Sequence, residues 1–226
     1  MNPTFAFDVY GTLIDPLGIA TMLQSLVGDD APAFAQAWRD KQLEYLFRRA
    51  LMHEYRDFPT CTREALDFTN ARSGMRLSAR ACETLLEKYR ELPAFPDAVD
   101  GLASLKAGGH RLFAFSNGHP RELVPLLEQA GLTRYLDGIV SVHPVASFKP
   151  DPAVYRHFID STGSDQRSTW LVSGNSFDVL GASAVGWRTA WVKRDSGAIF
   201  DPWDVEPTVT VGDLRALAVA VQQAVG

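Results

Sequence analysis

Residues 5–13 of this chain read FAFDVYGTL, and the fold of the remaining sequence is organised around this stretch. The segment Thr4–Phe7 is short, apolar and aromatic, which predicts a buried β-strand. Asp8 follows where that strand ends, and Gly11 indicates a turn just beyond it. Ligands of open parallel α/β sheets bind at the carboxyl ends of the strands. Asp8 is therefore either the cap of a turn or a carboxylate that is presented to a ligand.

Composition limits the class of protein. The chain has 226 residues, of which 46% are hydrophobic and 22% are charged, and its formal net charge is −5. These values predict an ordered globular protein with one large domain or with a core domain that carries an insertion. Because the sequence contains no basic run, we do not expect nucleic acid as a partner.

The expected location is the cytoplasm. No segment reaches the ~18 apolar residues of a membrane span, so no membrane association is expected. Residues 1–4 lead directly into the first strand without the pattern of a signal peptide. The two cysteines, Cys61 and Cys82, are too few for a disulfide framework and are typical of a reducing compartment.

The region between residues 13 and 92 has helical patterns and no convincing strand. We predict one helix from an N-cap at Asp30 to about Tyr55, a second after Thr60 to residues 73–74, and a third from Ser78 through Tyr89. The three helices predict a helical subdomain of residues 15–92, which is inserted into a core domain of residues 1–14 and 93–226.

Helix and strand patterns alternate from residue 93 onward. The predicted helices cover residues 97–107, 120–130, 152–162, 177–185 and 212–225. The predicted strands cover residues 110–115, 138–142, 168–172 and 188–192, with a short one within 203–211. This alternation predicts the α/β class, with a mostly parallel sheet flanked by helices.

Polar clusters follow three of these strands: SNG at 116–118, KPD at 149–151 and SGNSFD at 173–178. Each cluster alone is typical of an ordinary turn or helix cap. Together with DVYGT at 8–12, they match in order the four motifs of the haloacid dehalogenase superfamily. The chain resembles the (S)-2-haloacid dehalogenases of that superfamily over nearly its whole length. The resemblance implies a Rossmann-like core, a helical cap over the active site, a possible homodimer, and a reaction that needs no cofactor.

The resemblance also implies roles for the residues of the catalytic centre. Asp8 is expected to be the nucleophile, with Thr12 orienting it. Lys149 is expected to be the buried cation beside it, paired with Asp178, and Tyr155 is expected to lie near this lysine. A cation close to a carboxylate favours its ionised form.

Further polar residues match positions that bind substrate or water. The Ser116 hydroxyl and nearby backbone amides are expected to bind the substrate carboxylate, and Asn117 is expected to hold the departing halide. Backbone N–H groups at the start of a helix suit an anion. Ser173 and Asn175 are expected to position the water that hydrolyses the ester.

Tyr10 separates two reactions of the superfamily. In the phosphatases of this superfamily, a second Asp at that position protonates the leaving group. Acidic residues of the fourth motif hold magnesium in those enzymes. A tyrosine with an ordinary pKa near ~10 is a poor acid for that purpose, whereas a halide leaves without a proton. The fourth motif also has one carboxylate fewer, so we predict no metal site. An aromatic ring that only fills space beneath the cap would fit either reaction.

Arg39 and Leu43 lie four residues apart and therefore on one face of the predicted helix. The resemblance places Arg39 over the halide and substrate, where its weakly hydrated guanidinium suits an anion. It also places Leu43, Phe58 and Phe177 in the substrate pocket. Without the resemblance, Arg39 would be a solvated arginine, and both phenylalanines would be ordinary core residues.

We therefore predict hydrolysis of short (S)-2-haloalkanoic acids to (R)-2-hydroxy acids through an ester of Asp8. The expected partners are the small haloacid and the halide ion. Two alternatives stay open from sequence: a magnesium-dependent phosphatase, and a non-catalytic protein that binds a small carboxylate. Two positions depart from the family pattern, and both bear on the substrate range. Some of these dehalogenases have Gln at the position of Asp40, and many have a second Ser at the position of Gly174.

Overall fold

The computed structural model describes residues 3–225, and its centre is a six-stranded sheet. The strands are β1 Thr4–Phe7, β2 Arg111–Ser116, β3 Gly138–Ser141, β4 Thr169–Ser173, β5 Arg188–Val192 and β6 Val209–Val211. All pairs are parallel, in the order β3-β2-β1-β4-β5-β6. The predicted α/β class with a Rossmann-like parallel sheet is confirmed.

Strand β1 lies in the middle of the sheet because it is apolar on both faces. Phe5 is opposite Leu112 of β2 and Trp170 of β4, and the rings of Phe5 and Trp170 stack at 6.2 Å. Burial of such a large apolar side chain stabilises the fold by about 1.5–3 kcal/mol. The chain continues from β1 to β2 and β3 on one side and returns to β4 on the other. This reversal places the ligand crevice at the carboxyl end of β1.

Four helices lie between residues 15 and 92. They are α1 Ala20–Val27, α2 Ala31–Met52, α3 Phe58–Ser73 and α4 Ala79–Tyr89. The first helix is not among those predicted from sequence; it is only eight residues long, and Leu23 is its buried residue. In the described chain, no strand occurs between residues 15 and 92, as predicted.

The ends of these helices have identifiable causes. Helix α2 ends at Met52 and not near Tyr55, because His53 takes a left-handed conformation with φ 56°. Helix α3 begins before Thr60, since the Asp57 side chain accepts a hydrogen bond from the Thr60 amide at 3.0 Å. Asp30 precedes α2 as predicted, but its side chain makes no capping hydrogen bond.

Five helices cover the sheet. They are α5 Ala98–Ala107, α6 Pro120–Gln129, α7 Pro152–Thr162, α8 Ser176–Ala184 and α9 Leu217–Val225. Helix α9 begins later than predicted, because Asp213 first caps a short 3-10 helix, Leu214–Ala216. In the described range of residues 3–225, no helix is long and apolar enough to cross a membrane.

Candidate active site

Asp8 lies directly after β1 and is 7% exposed. Its two carboxylate oxygens have different surroundings. Oδ2 accepts hydrogen bonds from Thr12 Oγ1 at 2.9 Å, Asn175 Nδ2 at 2.7 Å and Ser173 Oγ at 3.4 Å. Oδ1 accepts one from Lys149 Nζ at 3.2 Å. The carboxylate is therefore held in one orientation, with Oδ2 more heavily engaged than Oδ1.

Lys149 is a buried cation, 1% exposed, in the loop before α7. Its ammonium donates to Asp8 Oδ1, to Asp178 Oδ2 at 2.8 Å and to the Phe115 carbonyl at 2.8 Å. It also lies 4.1 Å from the centre of the Phe115 ring. All three donors of a lysine are thus used, which is the condition under which a buried charge is tolerated. A lysine with these contacts is not a solvated surface residue.

Asp178 completes a buried group of three charges. It lies in the first turn of α8 and also accepts a hydrogen bond from the Tyr155 hydroxyl at 2.8 Å. Burial raises the pKa of Asp178 to about 6, although Lys149 acts in the opposite direction. Burial and the neighbouring Asp178 raise the pKa of Tyr155 well above its ordinary value, so this hydroxyl remains a donor. Tyr155 lies near Lys149, because both contact the carboxyl group of Asp178.

The turn after β2 is tied to the lysine loop. The Asn117 side-chain oxygen accepts a hydrogen bond from the Lys149 backbone amide at 2.9 Å. Ser116 is fully buried, and its hydroxyl accepts one from the Gly118 amide at 3.0 Å. These contacts place Ser116 and Asn117 beside Lys149 at the crevice. Their roles toward substrate and halide stay predictions.

Ser173 and Asn175 contact Asp8 itself. Asn175 Nδ2 donates both to Asp8 Oδ2 and, at 2.9 Å, to the Tyr10 carbonyl. The Ser173 hydroxyl accepts a hydrogen bond from the Asn175 amide at 3.0 Å. Ser173 and Asn175 are therefore hydrogen-bond donors to the Asp8 carboxylate. Their expected role in positioning water stays a prediction.

Tyr10 is buried within an aromatic stack. Its ring lies 4.8 Å from Phe58 of α3 and 5.9 Å from Tyr89 of α4, with interplanar angles of 21° and 24°. Burial and the nearby Tyr89 raise the pKa of Tyr10 well above its ordinary value. Tyr10 therefore holds its proton more firmly than an exposed tyrosine and is unsuited to the role of general acid near neutral pH.

Arg39 reaches from α2 to the loop after β1. It is 9% exposed, which rules out a solvated arginine. Nη1 donates to Gln42 Oε1 at 2.7 Å, and Nη2 donates to the Tyr10 carbonyl at 3.2 Å. Because Asn175 donates to the same carbonyl, Arg39 and Asn175 share an acceptor two residues from Asp8.

The remaining predicted pocket residues differ in their surroundings. Phe58 is buried against Tyr10, whereas Leu43 is partly buried. Phe177 packs edge-on against Phe47 at 5.0 Å. It lines an apolar groove of about 600 Å³ together with Trp203 and neighbouring residues. The structure thus places Phe58 at the crevice and Phe177 on a groove beside it.

The two departures from the family pattern have separate explanations. Asp40 is exposed and accepts a hydrogen bond from Gln36 Nε2 at 2.7 Å, so its charge lies on the outer face of α2. Gly174 has no room for a side chain, since an added Cβ would lie 2.2 Å from the Gly11 carbonyl oxygen. Gly11 itself has φ +90°, which favours glycine.

Sequence reasoning missed several residues of this site. Gln42, Thr62 and Tyr89 form a buried hydrogen-bond network with Arg39. Of these, Gln42 could have been found, because it lies three residues after Arg39 on the same helical face. Arg194 donates to the Thr12 carbonyl and pairs with Asp97, and it follows β5 without any local pattern that would reveal it.

Residues 3–186 match the model of a family of hydrolases, the haloacid dehalogenase-like hydrolases. The chain belongs to this family. It is 35% identical over 221 residues to an (S)-2-haloacid dehalogenase of Pseudomonas sp. (strain YL), covering 98% of this chain and 95% of that one. It is 39% identical over 197 residues to (S)-2-haloacid dehalogenase 1 of Pseudomonas sp. (strain CBS-3), covering 86% of each.

A solved structure of this family is similar throughout. L-2-haloacid dehalogenase from Xanthobacter autotrophicus, with chloropropionic acid covalently bound, superposes with a TM-score of 0.89 at 31% identity. The match covers 98% of this chain and 99% of the Xanthobacter chain. The resemblance to the haloacid dehalogenase superfamily that the four motifs indicated is thereby confirmed.

Proposed function

We propose that this protein hydrolyses short (S)-2-haloalkanoic acids to (R)-2-hydroxy acids, with Asp8 as the nucleophile. One observation carries the proposal: Asp8 is a buried carboxylate with one oxygen held by three donors and the other facing Lys149. The names of the two relatives described above support the substrate class.

The substrate is an anion that approaches another anion. Lys149 and Arg39 both lie at the crevice and offset this repulsion. The turn that carries Ser116 and Asn117 supplies polar groups for the substrate carboxylate. Preorganised charges of this kind act strongly where water is excluded.

In the first step, Asp8 Oδ1 attacks C2 on the side opposite the halogen. Oδ1 is assigned as the nucleophile because it accepts one hydrogen bond, whereas Oδ2 accepts three. The new bond joins Oδ1 to C2, and the carbon–halogen bond breaks with its electron pair on the halide. C2 is inverted, and an ester with Asp8 results.

In the second step, water attacks the ester carbonyl carbon, Cγ of Asp8. Negative charge develops on Oδ2, where Thr12, Asn175 and Ser173 already donate. Loss of one such donor costs about 10²–10³ in rate in comparable oxyanion sites. The bond between Cγ and Oδ1 then breaks, and the hydroxy acid leaves with Oδ1. In sum, haloacid anion and water give hydroxy acid anion, halide and one proton.

We further propose that residues 15–92 act as a cap on a core of residues 1–14 and 93–226. Arg39, Phe58 and Tyr89 from this helical segment all contact Tyr10 beside the nucleophile. These contacts would keep bulk water away from Asp8 during the first step.

A cytoplasmic location and a homodimeric state are also proposed. The free thiols of Cys61 and Cys82 support a reducing compartment. Leu51, 83% exposed, and Trp203, 68% exposed, offer apolar surface for a second copy. Sedimentation of the purified protein over a range of concentrations tests the dimer, and a single species of monomer mass would refute it.

The activity is tested by halide release from each enantiomer of 2-chloropropionate. We expect release from the (S) form and (R)-lactate as product. Asp8→Asn should abolish release, whereas Asp29→Asn, a change at an exposed position, should leave it unchanged. Hydrolysis of p-nitrophenyl phosphate only with magnesium would support the phosphatase instead. Binding of the haloacid without halide release would indicate a non-catalytic protein.

A single turnover in H₂¹⁸O with excess enzyme distinguishes the ester from direct attack by water with Asp8 as general base. The ester route puts the heavy oxygen into Asp8 and leaves the first product molecule unlabelled. Label in the hydroxy acid, with the Asp8 peptide unchanged in mass, would refute the nucleophile assignment.

A further inference from the structure

Gln42 lies at the centre of a polar network that no motif of the sequence indicates. It is 1% exposed and follows Arg39 by three residues on α2. Its Oε1 accepts hydrogen bonds from Arg39 Nη1 at 2.7 Å and from the Tyr89 hydroxyl at 3.1 Å. Its Nε2 donates to Thr62 Oγ1 at 2.5 Å. Every polar atom of this buried side chain therefore contacts a partner.

The orientation of the Gln42 amide is fixed by its partners. A guanidinium has donors and no acceptor, so the atom facing Arg39 must be the amide oxygen. At the other end, the Thr62 hydroxyl donates to the Phe58 carbonyl at 2.8 Å and leaves its lone pairs to accept from Nε2. The hydrogen bonds therefore fix one orientation of the amide. In the reversed orientation, the amide nitrogen of Gln42 would face the guanidinium, and two donors would meet.

The network joins three helices to the guanidinium. Thr62 belongs to α3, and its carbonyl also accepts a hydrogen bond from Trp38 Nε1 at 2.9 Å. Tyr89 belongs to α4, and its ring stacks on Tyr10. Burial raises the pKa of Tyr89, so its hydroxyl remains a donor to the Gln42 oxygen. The position of Arg39 is thus set by contacts from α2, α3 and α4 together.

The partners of Arg39 differ in charge from those of other arginines in the same segment. Four of these arginines pair with carboxylates: Arg48 with Glu44, Arg49 with Glu64 at 2.7 Å, Arg63 with Glu83 at 2.6 Å and Arg90 with Glu122 at 2.8 Å. The hydrogen-bond acceptors of Arg39, by contrast, are a neutral amide and a backbone carbonyl. Neutral acceptors orient a guanidinium without cancelling its charge.

We propose that Gln42 is a positioning residue that fixes the Arg39 guanidinium against the Tyr10 carbonyl, two residues from the nucleophile, while leaving its positive charge available to the substrate carboxylate and the departing halide. The proposal rests on the proposed function for its role in turnover. It predicts that the charge of residue 42, and not only its size, controls the affinity of the site for anions.

Two substitutions of similar size separate charge from shape. Gln42→Glu keeps the acceptor but adds a negative charge beside Arg39, and Gln42→Met removes the acceptor without adding charge. Gln36→Glu adds the same charge on the exposed face of α2 and serves as the control. We measure kcat and KM for (S)-2-chloropropionate, and separately the rise in Tm on adding sodium bromide at constant ionic strength, which needs no turnover.

Gln42→Glu should weaken bromide binding and raise KM by about 10- to 100-fold, because a unit charge within several ångströms acts strongly in a buried site. Gln42→Met should lower kcat by about 10- to 100-fold through a misplaced guanidinium, with a smaller effect on bromide. Gln36→Glu should keep the wild-type kcat, KM and bromide affinity, with a small loss of Tm because its hydrogen bond to the exposed Asp40 is replaced by repulsion.

Wild-type bromide affinity in a folded Gln42→Glu variant would overturn the proposal. Equal losses of kcat and bromide affinity in Gln42→Glu and Gln42→Met, in proportion to their losses of Tm, would also overturn it. That pattern indicates a residue that is needed only for packing. If Gln42→Glu does not fold, Thr62→Val removes the donor–acceptor link that orients the amide. Unchanged kcat and bromide affinity in that variant would also overturn it. A wild type that binds bromide but releases no halide would refute the proposed function alone.

Discussion

Replacing Tyr155 with Phe should move the acid limb of the pH–rate profile toward neutral pH. The Tyr155 hydroxyl donates to Asp178 Oδ1 at 2.8 Å, and this bond stabilises the ionised carboxylate against the effect of burial. The ring would keep its place between Phe115 and Trp187, because Phe fills nearly the same volume. The change therefore removes one donor from one carboxylate.

The size of the shift follows from that single bond. A hydrogen bond to a charged group contributes about 1.5–3 kcal/mol, and about 1.4 kcal/mol corresponds to one pH unit. Burial raises the pKa of Asp178 to about 6 in the wild type. Loss of the Tyr155 bond should raise it further, by about one to two pH units. Protonated Asp178 no longer pairs with Lys149, so the ammonium would be drawn to Asp8 and weaken the nucleophile.

The assay is kcat/KM for (S)-2-chloropropionate from pH 5 to 9, because this ratio reports groups of the free enzyme. Tyr135→Phe, at a partly buried position in a short 3-10 helix away from these charges, is the matched control. We expect the acid limb of Tyr155→Phe to move upward while that of the control does not. An acid limb at the wild-type pH, with the plateau preserved, would refute the reasoning.

Three further outcomes are expected. Because burial raises the pKa of folded Asp178 to about 6 from an ordinary 3.8, its contribution to stability is full below pH about 4 and is lost as the pH rises through about 6. The Tm of the wild type minus that of Asp178→Asn should therefore fall over this window, and a rise would contradict the assignment. Arg39→Lys should still fold but should lower kcat/KM by about 10²-fold, since lysine lacks the fork that reaches both Gln42 and Tyr10. Unchanged kinetics in this variant would count against a role in turnover. Dialysis against EDTA should leave halide release intact, because both oxygens of Asp178 are engaged by protein donors; activity lost to EDTA and restored by magnesium would contradict this.

The sequence predicted the sheet well because its signals are local. Strand β1 is a continuous apolar run, and the alternation after residue 93 leaves few other arrangements. Helix α1 escaped prediction because it buries little apolar surface, and the end of α2 depended on a left-handed His53 that no pattern requires. Boundaries of this kind depend on tertiary packing and on backbone conformation.

The charged centre was predicted through the resemblance of the four motifs to those of the haloacid dehalogenases. In the structure, Asp8 follows β1 and Asp178 follows β4, neighbouring strands whose carboxyl ends lie at one edge of the parallel sheet, and Lys149 reaches them from the loop before α7. Gln42 and Tyr89 lie inside helices, and their partners are 3 and 47 residues away along the chain. Helical periodicity shows which residues share a face, but it does not show which face of another helix they meet.

The close approach of Gly174 to Gly11 has a consequence for the evolution of this chain. A side chain at position 174 would collide with the Gly11 carbonyl, so that loop would have to move first. The same loop carries Thr12, whose hydroxyl accepts a hydrogen bond from the Gly174 amide at 2.8 Å while donating to Asp8. A single change of Gly174 to serine would therefore disturb the loop that holds the nucleophile. The effect of a substitution at position 174 thus depends on the sequence of residues 9–12. Serine at position 174 can be tolerated only after compensating changes in that loop.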